Sequence, residues 1–300
     1  MSKTVKSNIL LLAASLVWGL AFVAQRQGMA FVGPFTFNGL RFLLGALSLL
    51  PLLFIMKPRY SFAMLSGRLI IGAVLAGIAL LFAASFQQLG IMYTTAGNAG
   101  FITSLYIIFV PLFGFLRKQA SPGRVWIGAL IALSGLYLLS VGDNFVMQTG
   151  DLLVFISAVF WAAHLIILSY LAPQFDFRLL AIGQYTFVAF VSLILAFTLE
   201  TPTIEGIGQA ALPIFYAGVV SVGIGYTFQL MGQRHARADH AALILSLEAV
   251  FAALGGWFIL SETMAGRGLT GCVLMLVGVL LAKVKPETLF LRKKHVNGEG

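Results

Sequence analysis

Ten runs of about 20 mostly apolar residues, joined by short polar connections, constrain this chain more than any other feature. They cover approximately residues 8–30, 35–56, 69–91, 96–116, 124–142, 151–171, 179–199, 211–232, 240–260 and 266–284. Runs of this length suit helices that cross a hydrocarbon layer. Membrane-barrel strands would be shorter, about 10 residues, with alternating polarity. The run that opens at Ile9 continues to about Val23 and is followed by many like it, so it reads as a first span rather than a cleaved leader.

Composition excludes the other broad classes. Of 300 residues, 60% are hydrophobic and only 10% charged, with a mean hydropathy of +0.98. A water-soluble domain carries about 25% charged residues, and a disordered chain is far less apolar. The single cysteine, Cys272, rules out a disulfide framework and lies in an apolar run, where burial is expected. The net charge of +9 is spread over the connections and forms no patch. The partner it implies is the lipid bilayer, not nucleic acid.

The basic residues also orient the chain. With the N-terminus inside, the inner loops and tails hold sixteen of the 19 Lys and Arg residues, among them Lys3, Lys6, Arg124, Arg178, Arg234 and Arg237. The outer loops hold Arg26 and Arg267, and Arg41 lies within the second run. This bias predicts both termini in the cytoplasm of a multi-pass membrane protein.

The chain also resembles itself. At an offset of 142, nine of the 29 positions from 86 to 114 are identical, including Phe86 and Phe228, Gln87 and Gln229, and Ser104 and Ser246. At 143, Trp18 aligns with Trp161, Arg124 with Arg267, Gly128 with Gly271 and Gly135 with Gly278. The expected fold is therefore an all-α membrane protein of ten transmembrane helices, built as two five-helix repeats at 1–143 and 144–300. Five is odd, so the second repeat enters the membrane from the opposite side. Inverted repeats are the architecture of secondary transporters, with the substrate site near the midplane between them.

Charged groups deep in a span are costly and mark candidate sites. Arg41 and Glu248 are both near mid-depth by their distance from the ends of their runs. Arg41 also has the length to snorkel toward the outer headgroups; Glu248 does not. Their repeat counterparts are uncharged, Gln184 for Arg41 and Tyr106 for Glu248. That asymmetry suits an asymmetric solute carrying both charges. Trp18 and Trp161, related by the repeat, line a cavity or pack a repeat interface. His164, one turn beyond Trp161, reads as an interhelical hydrogen-bonding group before a proton carrier. The candidate substrate pathway is thus Trp18, Arg41, Tyr106, Trp161, His164, Gln184 and Glu248, with Glu248 as the proton-coupling candidate. The glycines of spans 5 and 10, seven residues apart, lie on one helix face and suit close packing, as a support or as a homodimer surface.

The order of these elements resembles the drug/metabolite transporter superfamily in its ten-span EamA type. The likeness rests on Trp18-Gly19, Arg41-Phe42, Gly97-Asn98-Ala99, Trp161-Ala162, Ser246-Leu247-Glu248-Ala249-Val250, Ser261-Glu262 and the spacing of Gly271 and Gly278. Two positions depart from the pattern. Ala249 stands where relatives usually have a kinking proline, and Arg117-Lys118-Gln119 replaces a Gly-Glu element. The resemblance implies an inner-membrane permease, often an exporter of amino acids or other small metabolites.

No phosphate-binding GxxxxGK[ST] run and no HExxH occurs, so neither ATP, a metal nor another cofactor is expected. The leading reading is a secondary transporter of a small molecule, driven by protons or working by exchange. A membrane sensor or assembly factor is the alternative, and an embedded enzyme ranks third.

Overall fold

A backbone in hydrocarbon must satisfy its own N–H and C=O groups, and the helix does so within one segment. In the computed structural model every regular element among the described residues is helical. Those residues are 2–55, 66–94, 96–116, 121–140, 149–259 and 266–283. The Arg117-Lys118-Gln119 and Ser261-Glu262 elements lie outside them, as do Lys57, Arg59, Lys285, Arg292, Lys293 and Lys294.

The elements in order are α1 (Lys3–Gly28), α2 (Pro34–Ile55), α3 (Gly67–Ile91), α4 (Ala96–Thr103), α5 (Tyr106–Leu116), α6 (Gly123–Ser140), α7 (Thr149–Leu171), α8 (Phe177–Leu199), α9 (Ile204–Gln209) and α10 (Ala211–Phe215). A π-helical segment, Tyr216–Tyr226, leads into α11 (Thr227–Gln233). Then follow α12 (Ala238–Leu245), α13 (Glu248–Ile259) and α14 (Gly266–Lys283). Eight stretches are long and apolar enough to cross a membrane, and Gly123–Leu138 and Gly266–Ala282 are shorter apolar helices. The outward faces are apolar: Leu116 is 71% exposed and Phe197 75%. Water does not tolerate such a surface; lipid does.

Contacts between helix ends show the direction of each helix. At one end of the bundle, Arg26 Nη1 donates to the Thr94 carbonyl at 3.3 Å, and Thr94 Oγ1 donates to Asp151 at the start of α7. There too, Glu200 beyond α8 accepts the N–H groups of Phe35 and Thr36 at 2.7 and 2.8 Å, capping α2. At the other end, Ser7 Oγ donates to the Gly232 carbonyl, Ser121 Oγ to Asp239 at 2.6 Å, and Arg178 Nη1 to the Leu52 carbonyl at 3.3 Å. Successive apolar segments joined by these contacts therefore run in alternating directions. Spans 2 and 7 of the sequence reading, α2 and α8, are pinned to each other at both ends.

Helix neighbours obey an exchange between the halves. α3 packs on α7, as α1 packs on the π segment and α11. α7 packs on α4 and α5, as α1 packs on α12 and α13. α3 meets α8, as the π segment meets α2, while α2 with α8 and α6 with α14 are their own counterparts. One buried core, from Leu11 and Phe42 to Trp161 and Leu243, runs through both halves. The glycine faces of α6 and α14 meet each other. A Cβ on Gly135 would lie 2.5 Å from the Gly271 carbonyl, and one on Gly128 2.5 Å from that of Gly278. The surface expected to offer self-association is thus covered within the chain.

Candidate functional site

Two helices are interrupted, at equivalent places. α4 stops at Thr103 and α5 starts at Tyr106; α12 stops at Leu245 and α13 starts at Glu248. Short i→i+3 bonds carry each break: Leu105 N to the Ile102 carbonyl at 3.1 Å, and Leu247 N to the Ile244 carbonyl at 3.2 Å. The second break forms with alanine at 249, so it needs no proline. Interrupted helices in corresponding positions of two halves point to a binding site. Each break places a helix N-terminus, with its partial positive charge, in the interior.

The two breaks touch. Tyr106 Oη donates to Glu248 Oε1 at 2.9 Å, although the residues are 142 apart in sequence. The bond thus joins two positions that the 142-residue offset of the sequence pairs with each other. Around this point lies a cavity of about 30 Å³, lined by Trp18, Gln25, Arg41, Gln87, Trp161, Tyr226 and Gln229 together with Tyr106 and Glu248. That volume is about one water's share of liquid, so any larger solute must widen it.

Arg41 is 2% exposed and Glu248 4%. They form no ion pair: the two salt bridges among the described residues are Arg178–Asp176 and Arg237–Asp239. Arg41 Nε and Nη2 are buried without an acceptor, and the guanidinium lies 5.0 Å from the Phe42 ring centroid and 5.7 Å from that of Phe37. A buried cation with no anion costs several kcal/mol, on the order of what breaking a buried pair costs. The aromatic faces recover part of that, about 2 kcal/mol or less each. Chemically, the cavity offers a guanidinium to a carboxylate and a carboxylate to an ammonium.

The two tryptophans have unlike partners. Trp161 Nε1 donates to Gln87 Oε1 at 2.7 Å, and Gln87 Nε2 donates on to Gln25 Oε1 at 3.2 Å. The equivalent partner for Trp18 is Gln229. Trp18 Nε1 instead donates to the Ser221 carbonyl in the π segment at 3.3 Å, and Gln229 Oε1 is buried with no donor. Gly225 permits this approach, since a Cβ there would lie 2.7 Å from Trp18 Nε1. The matching stretch of the first half, residues 74–84, is ordinary α-helix within α3.

His164 and Gln184 stand behind the cavity wall and bond each other, Nε2 to Oε1 at 2.9 Å. Of the seven residues selected from sequence, then, five line one cavity and two form a pair beside it. Sequence reading passed over Tyr226, the hub of the aromatic cluster. Its ring centroid is 4.6 Å from Trp18, 5.9 Å from Trp161, 6.1 Å from Tyr185 and 6.4 Å from His164. The repeat could have found it, because Tyr226 stands opposite Ala84. Gln25 was passed over too; its counterpart is Leu168. Among the described residues no three His, Cys, Asp or Glu side chains converge as metal ligands.

The model of the EamA-like transporter family matches this chain twice, over residues 5–141 and 148–283. The chain belongs to the EamA-like transporter family. A relative in Archaeoglobus fulgidus, described as an uncharacterized transporter, is 30% identical over 94% of this chain and 87% of its own length. A probable amino-acid metabolite efflux pump of Salmonella typhimurium is 25% identical over 92% of this chain and 94% of its own. A protein of known crystal structure shares the fold, with a TM-score of 0.78 at 19% identity over 94% of this chain and 99% of that one. This EamA-like chain is accordingly a multi-pass membrane transporter.

Proposed function

We propose that the protein is a secondary transporter with ten spans in two inverted repeats, at 1–143 and 144–300, and both termini in the cytoplasm of a bacterial cell. It exports a small zwitterionic metabolite, such as an amino acid, by alternating access across the inner membrane. The substrate carboxylate binds Arg41, its ammonium binds Glu248, and Trp18, Trp161 and Tyr226 hold its body. His164 and Gln184 brace Tyr226 and Trp161 from behind. The efflux-pump name of the Salmonella relative supports the direction and the substrate class.

One observation carries this reading: two tryptophans equivalent by sequence hold different partners around one cavity. Equivalent halves in different local states are what a two-faced carrier requires. Exchanging those states turns the cavity from one side of the membrane to the other. Glu248, which accepts from the hydroxyl of Tyr106, carries the proton that couples the cycle.

The test uses purified protein in proteoliposomes, loaded with a panel of labelled amino acids, with and without a pH gradient. Glu248→Gln keeps the shape and the Tyr106 bond but cannot titrate. The expected result is wild-type flux of at least one zwitterion and, in the variant, loss of pH-driven flux with residual exchange at a higher half-saturation concentration. Undiminished pH-driven flux in Glu248→Gln, at normal membrane abundance, overturns the coupling role. Absence of flux for every zwitterion in the wild type overturns the substrate class.

A further inference from the structure

A second cavity, of about 180 Å³, opens at the end of the bundle that holds the first turns of α1. Asn8, Arg124, His235, Arg237, Asp239 and His240 line it, from α1, the start of α6, and the connection between α11 and α12 with the first turn of α12. It is far roomier than the central cavity and shares no residue with it.

Its charge balance is one-sided. Arg124 and Arg237 are cationic, and His235 and His240 bring imidazole rings to the lining. Asp239 is the acidic side chain in the lining, and its carboxylate is already occupied. Arg237 donates to it through Nη2 at 2.9 Å and Nε at 3.2 Å, Ser121 Oγ at 2.6 Å, and the His240 backbone N–H at 2.8 Å. Those bonds lower the Arg124 field very little, because they neutralise Arg237 first. Arg124 Nε is buried with no acceptor. The Asn8 amide also has a buried oxygen without a donor. A half-turn of that amide, which exchanges two groups of the same shape, presents its N–H groups instead. The first N–H groups of α6 begin beside Arg124, at Gly123.

Donors from three separate segments converge on a space whose carboxylate, Asp239, is already occupied. That arrangement fits a compact anion with several oxygens better than a planar carboxylate. The cavity is also at the end of the chain that carries Lys3 and Lys6, where basic pockets meet anionic headgroups. α1 exposes Val5 at 45%, Ile9 at 52% and Leu12 at 41%, an apolar face on which acyl chains can rest.

We propose that this cavity binds a phosphate group, anchored on Arg124 and supplied either by an anionic phospholipid or by free phosphate. The site is independent of the transport cavity, and its test reads binding alone. Thermal unfolding of the detergent-purified protein is followed during titration with short-chain dihexanoyl-phosphatidylglycerol, with inorganic phosphate, and with chloride at matched ionic strength. The expected result is a saturable rise in the midpoint with phosphatidylglycerol, and a tenfold or greater loss of apparent affinity in Arg124→Gln. A rise with phosphatidylglycerol alone assigns the source to lipid; a rise with both ligands shows that phosphate suffices. His240→Gln provides a second variant, expected to weaken binding less than Arg124→Gln, and it replaces the first if that protein does not fold. No rise beyond chloride, or wild-type affinity in the variants, overturns the site.

Discussion

Asp176 stands just outside the helix that it caps. Its carboxylate accepts the Arg178 backbone N–H at 2.8 Å, and the Arg178 Nε and Nη2 at 2.9 and 2.7 Å. Burial pushes the carboxyl up, but the bonds from Arg178 outweigh it and hold Asp176 below its ordinary value. An unfolded aspartate titrates at about 3.9. The stabilisation is therefore complete above that pH and disappears as the pH falls through the lower folded value. Asp176→Asn keeps a capping side chain and removes only the charge. Its thermal midpoint is expected below wild type at pH 7, with the gap closing in acid; a gap that persists at pH 2 refutes the assignment. The cost lies under the about 3–5 kcal/mol of breaking a fully buried pair, since the Asp176 side chain is 13% exposed. At this scale sequence was informative where chemistry was rare. Arg41 and Glu248 stood out because charge in an apolar run is expensive, and the repeat singled out Trp18 and Trp161. Tyr226 did not stand out, because one aromatic among many apolar residues has no local signature of its neighbours.

The elements repeat that lesson. Apolar run lengths sufficed to place every long helix, because hydrocarbon leaves the backbone no other economical form. They said nothing of where a run would break or widen. At the break at Ser246-Leu247 the chain lies close against α1, where a Cβ on Gly19 would be 2.6 Å from the Glu248 carbonyl. The π segment arises in a stretch whose glycines, at 218, 223 and 225, reduce the cost of a widened turn. Neither leaves a mark on periodicity. The unlike partners of the tryptophans make a prediction here. Gln87→Leu removes the bond that Trp161 holds in this structure, and Gln229→Leu removes the equivalent bond that the proposed exchange gives to Trp18. A cysteine at Thr103 on the cavity wall is expected to change its labelling rate from the two sides of the membrane in opposite directions in the two variants. A shift of both in the same direction removes the two glutamines from the switch.

For the molecule as a whole, the helix ends divide into two sets, and labelling can decide which set faces out. Single cysteines at Ala30 and Gly208 are expected to react with an impermeant maleimide added to intact cells. Cysteines at Gly67 and Gln174 are expected to react only after permeabilisation. All four positions are exposed. Reaction of one member of each set from the same side is incompatible with the topology. The unmatched π segment has a consequence at this scale. In the proposed cycle, halves able to exchange their structures completely would give two orientations of equal free energy. The π segment resists that exchange, because its Gly218, Gly223 and Gly225 stand opposite Ala76, Leu81 and Ala83; the proposed empty carrier is therefore expected to rest preferentially toward one side. Such a bias cannot move a solute uphill, because a catalyst leaves the equilibrium gradient untouched. It must therefore appear as paired kinetic inequality: whichever face shows the lower half-saturation concentration shows the lower maximal rate in the same proportion, for uncoupled flux. The π segment would thus set how the carrier divides its time, while the gradient alone sets where the solute ends up.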